Sequence, residues 1–150
     1  MGKSVLTLEH ATENDADLLY EFEQAEDAKQ FIIPYSSEKH ASNIKNSELI
    51  YLKIISSNQV VGFIILAIDE SPDTVEFRRI VIGNKGLGLG QKAIQAMEEF
   101  CVSELSRSTI WLDVFDDNLI ARHIYEKLSY IRFGQSKVNE EKLLLYRKKL

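Results

Sequence analysis

Residues 78–93, RRIVIGNKGLGLGQKA, constrain the fold of this 150-residue chain more than any other stretch. The apolar start is typical of a strand, and the end leads into a run with helical spacing. Between them, glycines occupy the alternate positions 86, 88 and 90. Where a strand becomes a helix, the absence of side chains allows a ligand to approach the backbone closely. The stretch therefore predicts a strand, a ligand-binding glycine loop and a helix.

The glycine loop suits an anion, because successive backbone N–H groups form a concave site and the helix N-terminus adds roughly half a positive charge. A pyrophosphate is the natural occupant, and Lys85 and Lys92 could add cationic contacts. A P-loop would need glycine, lysine and Ser/Thr in succession, which the loop lacks. A dinucleotide site would need Gly-x-Gly-x-x-Gly after the first strand of a βαβ unit, but the spacing here is Gly-x-Gly-x-Gly in mid-chain. Of the three nucleotide-like ligands that compete for such a loop, acetyl-coenzyme A is left.

Composition and charge exclude several other classes of protein. The net charge of −5 argues against a nucleic-acid binder with a broad basic surface. The chain has no run of eighteen apolar residues, so we expect no membrane-spanning helix, and the N-terminus lacks the apolar core of a signal peptide. The single cysteine, Cys101, cannot form an internal disulfide and suggests a reducing compartment. We therefore expect one domain, residues 1–150, in a cytoplasmic protein.

Hydrophobic periodicity predicts eleven elements in the order β-α-α-β-β-β-α-β-α-β-β. The strands are expected at residues 5–9, 50–55, 60–68, 75–82, 109–115, 130–137 and 143–148. The helices are expected from a cap at Thr12 to about residue 28, and at residues 38–45, 93–105 and 116–128. The stretches SSNQ and VNEE read as the turns of two antiparallel hairpins. This order predicts an α/β fold of the α+β type, in which a crossover helix joins two parallel strands of a mixed sheet.

The glycine loop and the residues downstream resemble the GNAT superfamily of acetyl-CoA-dependent N-acyltransferases. The family signature is Gln/Arg-x-x-Gly-x-Gly/Ala after the fourth strand, and residues 85–90, KGLGLG, match it with Lys85 in place of Gln/Arg. After the fifth strand, family members often have an Asn, a Tyr seven residues later and a sequence like YEKLGF. Here Asn118, Tyr125 and YEKLSY occupy those places, with Ser129 in place of the usual glycine.

The resemblance implies the GNAT fold, a mixed and mostly antiparallel central sheet of about seven strands with flanking helices, splayed between strands 4 and 5. It also implies that acetyl-CoA lies in this cleft, with its pantetheine arm against the main chain of strand 4 and its pyrophosphate on the glycine loop. The residues expected to bind the cofactor are Ile80, Val81, Ile82, Lys85, Gly86, Leu87, Gly88, Leu89, Gly90, Gln91, Asn118, Ala121 and Arg122.

The helix after the fifth strand is expected to present a polar face to this cleft. Asn118, Ala121, Arg122 and Tyr125 lie at i, i+3, i+4 and i+7 and so share one face. The adjacent stripe of Ile120, Ile124 and Leu128 is expected to anchor the helix in the core. Asn118 is suited either to bond a pantetheine amide or to cap the helix.

Two residues are expected to carry the chemistry. By the resemblance, Tyr125 donates a proton to the departing sulfur as general acid. Glu76 is the best candidate for the base, because strand alternation places it on one face with Arg78, Ile80 and Ile82. A surface glutamate paired with Arg78 is the other interpretation of Glu76, and Asp113 is a weaker substitute for the base.

The sequence therefore predicts an N-acetyltransferase that moves an acetyl group from acetyl-CoA to a primary amine by direct attack in a ternary complex. The acceptor could be a small-molecule amine or a protein N-terminus, and the histidines show no metal-ligand spacing, so we expect no metal. A non-catalytic acyl-CoA-binding or regulatory module on the same fold is the alternative, with a nucleotide-binding oxidoreductase a distant third. We expect no nucleic-acid or membrane partner, and a homodimer is possible.

Overall fold

The computed structural model describes residues 6–83 and 88–150. Within these residues, seven strands form one sheet in the order β1-β2-β3-β4-β5-β7-β6, and only β4 and β5 pair in parallel. The strands are β1 (Leu6–His10), β2 (Leu49–Ser56), β3 (Gln59–Ile68), β4 (Thr74–Ile82), β5 (Thr109–Phe115), β6 (Ile131–Val138) and β7 (Glu141–Lys149). The helices are a 3-10 turn (Glu13–Asp15), α1 (Ala16–Glu23), α2 (Glu26–Lys29), α3 (Ser37–Lys45), α4 (Leu89–Ser103) and α5 (Leu119–Lys127). The predicted mixed, mostly antiparallel sheet with flanking helices is confirmed.

Two tight turns fix the hairpins that the sequence predicts. Ser57 and Asn58 join β2 to β3, and both have positive φ, at 51° and 63°. Asn139 and Glu140 join β6 to β7, again with positive φ, at 51° and 70°. Two-residue loops of this kind match the right-handed twist of antiparallel strands, which sets the register of both hairpins.

The first predicted helix is wrong in one respect, because it is divided. The α1 helix ends at Glu23, and Ala25 adopts an extended backbone (φ −63°, ψ 140°) before the short α2 begins. The side chain of Glu23 is fully buried and bound by residues of α3 and β4. These tertiary contacts fix the end of α1 where the helical pattern of the sequence continues.

The sheet carries a hydrophobic core on each face. Helices α4 and α5 cover the first face, where the larger core includes Leu52, Ile64, Phe77, Met97 and Leu144. Helices α1 to α3 contribute to the second core, which includes Leu19, Tyr51, Phe63, Ile65 and Val81. Among the residues described, no side chain of β5, β6 or β7 belongs to this second core. The second face is therefore packed over β2, β3 and β4 and more open over β5.

A β-bulge at Arg78 changes which side chains of β4 share a face. Ile65 of β3 pairs with Arg79 and the next residue, Leu66, pairs with Phe77, so Arg78 is the extra residue. Ile80 packs in the larger core on the first face, and Glu76 lies on the second face. The prediction that Glu76 shares a face with Ile80 and Ile82 is therefore wrong, since simple alternation ends at the bulge.

Candidate active site

The β4 and β5 strands diverge after a short parallel contact. They pair at three positions, the last of which joins Glu76 to Trp111, whereas β4 continues to Ile82 and β5 to Phe115. Beyond that point β5 keeps its pairing with β7, and β4 keeps its pairing with β3. The predicted splay between strands 4 and 5 is confirmed, and it leaves one backbone edge of β4 without a strand partner among the residues described.

Ile80, Val81 and Ile82 lie in the part of β4 that borders this gap. The side chains of Ile80 and Ile82 pack in the larger core, whereas Val81 packs in the second core. Because the side chains are occupied in this way, any contribution of these residues to ligand binding comes from their N–H and C=O groups.

The end of the glycine loop leads directly into α4. Gly88 is the N-cap residue, with the left-handed φ of 68°, and it provides no side-chain cap for the helix. A Cβ atom added at Gly88 or Gly90 would meet nothing within 4 Å. Leu89 is buried in the larger core, and Gln91 is half-buried. The helix start therefore presents backbone N–H groups beside open space, whereas Lys85, Gly86 and Leu87 lie outside the described residues.

The N-terminal half of α5 combines capping with attachment to the sheet. The Oδ1 atom of Asn118 accepts a hydrogen bond from the Ala121 N–H at 3.3 Å, so Asn118 caps the helix. The Arg122 guanidinium donates to the backbone oxygen of Asp116 at 2.9 Å and to the Tyr146 hydroxyl at 3.4 Å. These bonds occupy one oxygen of Asn118 and much of Arg122, and leave the Asn118 side-chain amide as a donor.

Tyr125 lies on the first face of the sheet and packs against the core. Its ring meets three aromatic rings, those of Phe77, Tyr130 and Tyr146, with centroid distances of 6.1, 5.8 and 6.5 Å. Its hydroxyl has no hydrogen bond within the described part of the chain. Burial, together with the charge of Asp113, raises the pKa of this hydroxyl above its ordinary value, so the group is protonated at neutral pH.

Two carboxylates lie on the second face, at the base of the gap. The Glu76 carboxylate accepts a hydrogen bond from Arg78 at 2.8 Å. Asp113 follows Trp111 by two residues on β5 and is exposed to solvent. The protein atoms around its carboxyl group, followed by the nearby charge of Glu76, raise the pKa of Asp113, while Arg78 opposes the shift.

The gap thus separates a protonated tyrosine hydroxyl from a pair of carboxylates. Tyr125 belongs to the core under α4 and α5, whereas Glu76 pairs with Trp111 on the other face. A group in the gap could lose a proton toward one face and gain one from the other.

The predicted apolar stripe of α5 is correct at two positions and wrong at the third. Ile124 and Leu128 pack against the larger core, but Ile120 is 79% exposed and its neighbour Leu119 is 67% exposed. Ala121 and Tyr125 pack against the core in place of Ile120. The face of α5 that meets the core is therefore rotated about the helix axis from the predicted face, toward Ala121 and Tyr125.

A second group of polar residues, which no motif or periodicity indicates, is buried beneath α1 and α3. Glu23 and His40 are both fully buried, and they are joined at 2.7 Å. Arg79 of β4 pairs with the same carboxylate at 2.6 Å. These residues are far apart in sequence, and none of them belongs to a recognisable motif.

Comparison with known proteins identifies the family. The family model described as "Acetyltransferase (GNAT) family" matches residues 13–130. A [ribosomal protein bS18]-alanine N-acetyltransferase of Haemophilus influenzae is 30% identical over 116 residues, which span 77% of this chain and 75% of that protein. The chain therefore belongs to the GNAT acetyltransferase family.

Solved structures of more distant sequence share the fold. Aminoglycoside acetyltransferase AAC(6')-Ib in complex with coenzyme A superimposes with a TM-score of 0.84 at 19% identity, covering 97% of this chain and 95% of that one. Spermidine N-acetyltransferase from Vibrio cholerae, in complex with coenzyme A and spermine, gives a TM-score of 0.83 at 18% identity, covering 96% and 95% of the two chains.

As a GNAT acetyltransferase, the chain is an acyltransferase that uses acetyl-CoA, and its described residues fit that cofactor. The free edge of β4 offers main-chain groups, and the uncapped start of α4 offers N–H donors beside Gly88 and Gly90. The room at both glycines is what close approach of a phosphate requires. Residues 6–83 and 88–150 contain no cluster of side chains placed to hold a metal ion. No helix in the described part of the chain is long and apolar enough to cross a membrane.

Proposed function

We propose that this protein acts as a single domain that transfers the acetyl group of acetyl-CoA to a primary amine, by direct attack while both substrates are bound. One observation carries the proposal. The gap between β4 and β5 has Tyr125 on one side of the sheet and Glu76 and Asp113 on the other. Direct transfer needs a proton acceptor on the side of the amine and a proton donor on the side of the leaving sulfur.

The cofactor is held largely by backbone. Acetyl-CoA supplies an acetyl group activated as a thioester. The main chain of β4 at Ile80, Val81 and Ile82 aligns the pantetheine arm, and an N–H of this strand polarises the thioester carbonyl. The N–H groups from Gly88 to Gln91 bind the pyrophosphate, aided by the helix dipole, and the side-chain amide of Asn118 donates to a pantetheine carbonyl.

On the acceptor side, the chain must remove a proton. An alkyl ammonium has a pKa of about 10, so at neutral pH most of the amine is charged and is not a nucleophile. Glu76 and Asp113 attract this cation and lower the free energy of its approach. Asp113 is the better proton acceptor of the two, because its pKa is raised while Glu76 is engaged by Arg78. In this scheme Glu76 keeps the Asp113 carboxyl basic, and Asp113 takes the proton directly or through water.

On the other side of the gap, Tyr125 provides the proton. Its raised pKa keeps the hydroxyl protonated, and that hydroxyl makes no competing hydrogen bond within the described residues. Donation to the sulfur stabilises the thiolate as it departs, an effect worth about 10²–10⁴-fold for a well-placed general acid.

We expect three segments to recognise the acceptor amine. These are the N-terminal helices, the loop at residues 33–37 and the β6–β7 hairpin, where Ile33 is 79% exposed and Val138 is 48% exposed. Such apolar side chains favour an acceptor with apolar surface next to its amine. The relative from Haemophilus influenzae is named for a protein N-terminal alanine, and this supports a peptide N-terminus as the first acceptor to test.

The test combines binding with turnover. Acetyl-CoA and coenzyme A are titrated into the protein by calorimetry, with NADH as the control ligand. Release of the thiol is then followed with a panel of amines: a peptide with N-terminal alanine, the same peptide with a blocked N-terminus, an aminoglycoside and spermidine. We expect binding of both coenzyme A forms, no binding of NADH, and thiol release that depends on a free amine.

The alternative outcomes separate the competing functions. Binding of acetyl-CoA without release of thiol for any amine would favour a binding or regulatory module on the same fold. An absence of binding would contradict the proposed site at the glycine loop, and the enzymatic proposal with it.

A further inference from the structure

Glu23 is the centre of a buried polar network that the proposed chemistry does not use. Its carboxylate accepts hydrogen bonds from the backbone N–H of Tyr35 at 3.0 Å, from Nε2 of His40 at 2.7 Å and from Nη1 of Arg79 at 2.6 Å. The donors belong to three different segments: the loop of residues 30–36, α3 and β4. A buried carboxylate with three such donors holds these segments in fixed positions relative to α1.

The proton positions in this network follow from its chemistry. In the neutral tautomer of His40 whose Nε2 donates to Glu23, Nδ1 accepts the hydroxyl proton of Tyr51 at 3.0 Å. The Tyr51 oxygen in turn accepts from Nδ2 of Asn43 at 3.0 Å. No buried side-chain polar atom in the described part of the chain lacks a partner, so every member of the network is satisfied.

Tyr35 links the network to β4, the strand that carries Glu76. The Arg79 guanidinium lies over the Tyr35 ring, 4.2 Å from its centroid. Arg79 therefore contacts both the Glu23 carboxylate and the side chain of Tyr35. Arg79 directly follows the bulge residue Arg78, which pairs with Glu76. Tyr35 and Asp113 both lie near enough to Arg78 to raise its pKa further after Glu76. The loop that Glu23 holds therefore contacts Arg79, and the residue next to Arg79 in the chain is the ion-pair partner of Glu76.

We propose that Glu23 and His40 form a positioning pair that fixes the loop of residues 30–36 against β4 and thereby sets the affinity of the enzyme for its acceptor amine. The pair does not touch the reacting atoms and acts through Tyr35 and Arg79. None of the bonds of Glu23 involves residues 80–82 or α4, where coenzyme A is proposed to bind, so we expect coenzyme A affinity not to depend on the pair. The acceptor part of this inference rests on the proposed function.

The test compares two substitutions of His40. Leucine removes both the donor to Glu23 and the acceptor for Tyr51, whereas glutamine can keep both bonds. Lys53→Met is the matched control, because it breaks the partly buried Lys53–Asp15 pair on the same side of the sheet without touching the loop. For each variant we would measure kcat and amine KM, the Kd of acetyl-CoA, the melting temperature, and backbone hydrogen exchange of residues 30–36.

We expect His40→Leu to raise the amine KM by about tenfold or more with kcat within about threefold of wild type, which is the pattern of lost ground-state binding. Exchange in residues 30–36 should accelerate, and the Kd of acetyl-CoA should not change. His40→Gln should restore all of these values toward wild type. Lys53→Met should lower the melting temperature with no change in amine KM.

Two results would overturn the inference: unchanged exchange of residues 30–36 in His40→Leu, or a rise in amine KM that Lys53→Met reproduces at equal loss of melting temperature. A wild type that binds acetyl-CoA but transfers nothing would count against the proposed function alone. In that case loop exchange in His40→Leu and His40→Gln still decides whether the pair positions the loop.

Discussion

The ring of Tyr125 packs against the core, but its hydroxyl makes no hydrogen bond in the described part of the chain. Phe77, Tyr130 and Tyr146 fix the ring, so the position of the hydroxyl does not depend on its own polar contacts. Neighbouring tyrosine hydroxyls differ in this respect, since Tyr130 donates to Glu98 at 2.8 Å and Tyr146 bonds Glu126. The free hydroxyl is the one that is available to a ligand.

Substitution of Tyr125 by phenylalanine should therefore separate catalysis from stability. The ring contacts remain and no described hydrogen bond is lost, so the melting temperature and the Kd of acetyl-CoA should stay near wild type. The kcat should fall by about 10²–10⁴-fold if the hydroxyl is the general acid. Tyr130→Phe serves as the comparison, because it loses a hydrogen bond and should lose stability. Wild-type kcat in Tyr125→Phe would exclude this role.

Substitutions of Asp113 and Glu76 should have different effects on the pH dependence of kcat/KM. The base must be deprotonated, so activity falls as pH falls through its pKa. The pKa of Asp113 is raised above the ordinary 3.8, in part by Glu76. Asp113→Asn should remove the acidic limb and lower the rate by about 10²–10⁴-fold. Glu76→Gln should move the limb to lower pH, because a neutral side chain no longer raises the pKa of Asp113.

The roles would be reversed if Glu76 were the base, as strand alternation alone suggests. Glu76→Gln would then abolish the acidic limb, and Asp113→Asn would only shift it. Rates measured between pH 4.5 and 9 with both variants distinguish the two assignments, provided that the melting temperature shows each variant to be folded across that range.

At the scale of elements, the sequence predicts what local patterns determine. Strand alternation, the two hairpin turns and the glycine loop specify all seven strands and the crossover helix, because these features depend on nearby residues. The bulge at Arg78 has no such local signal, and it reverses the face of every later residue of β4. The sequence also does not predict the rotation of α5 about its axis, because Ile120 and Ile124 are equally apolar and only packing on the sheet decides which of them is buried.

The start of α4 allows the proposed pyrophosphate site to be tested by charge. Gly90 is the second residue of the helix, and a Cβ there meets nothing within 4 Å. Gly90→Gln should stabilise the protein by about 0.5–1 kcal/mol through helix propensity. Gly90→Glu should stabilise it by about 0.3–1 kcal/mol more, because an anion near a helix N-terminus is favourable.

Binding should follow the opposite order. A carboxylate at position 90 would repel the pyrophosphate, so Gly90→Glu should weaken coenzyme A binding by about tenfold or more relative to Gly90→Gln, despite its higher melting temperature. Affinity equal to that of the wild type in both variants, measured by calorimetry, would show that the pyrophosphate lies elsewhere. An equal loss of coenzyme A affinity in both variants would indicate that the size of the side chain at position 90, and not its charge, limits binding.

At the scale of the whole molecule, polar contacts that cross long stretches of sequence hold α1 and α3 against β4. Glu23 and Arg79 are 56 residues apart, and Glu23 and His40 are 17 apart. Burial alone would raise the pKa of Glu23, but the bonds from His40, Tyr35 and Arg79 hold it below the usual value. No periodicity predicts such a network, because its members have the same local patterns as surface residues.

The same network makes the stability of the molecule sensitive to alkaline pH. Tyr51 is 3% exposed, and burial raises its pKa from 10.0 to about 12. The unfolded chain therefore loses this proton at lower pH than the folded chain, and the stability from Tyr51 is complete below pH 10 and is lost as pH rises toward 12. By pH 11 the loss from this group should reach about 1.4 kcal/mol.

Tyr51→Phe isolates this contribution. At pH 8 the variant should be less stable than wild type by about 1–3 kcal/mol, because the bonds to His40 and Asn43 are lost. Phenylalanine cannot ionise, so the difference in the free energy of unfolding should narrow by about 1.4 kcal/mol between pH 8 and pH 11. Urea unfolding of both proteins at pH 8, 9.5 and 11 measures the difference. A gap that stays constant over this range would mean that Tyr51 ionises as readily in the folded chain as in the unfolded one, and that its hydroxyl is not held in the buried network.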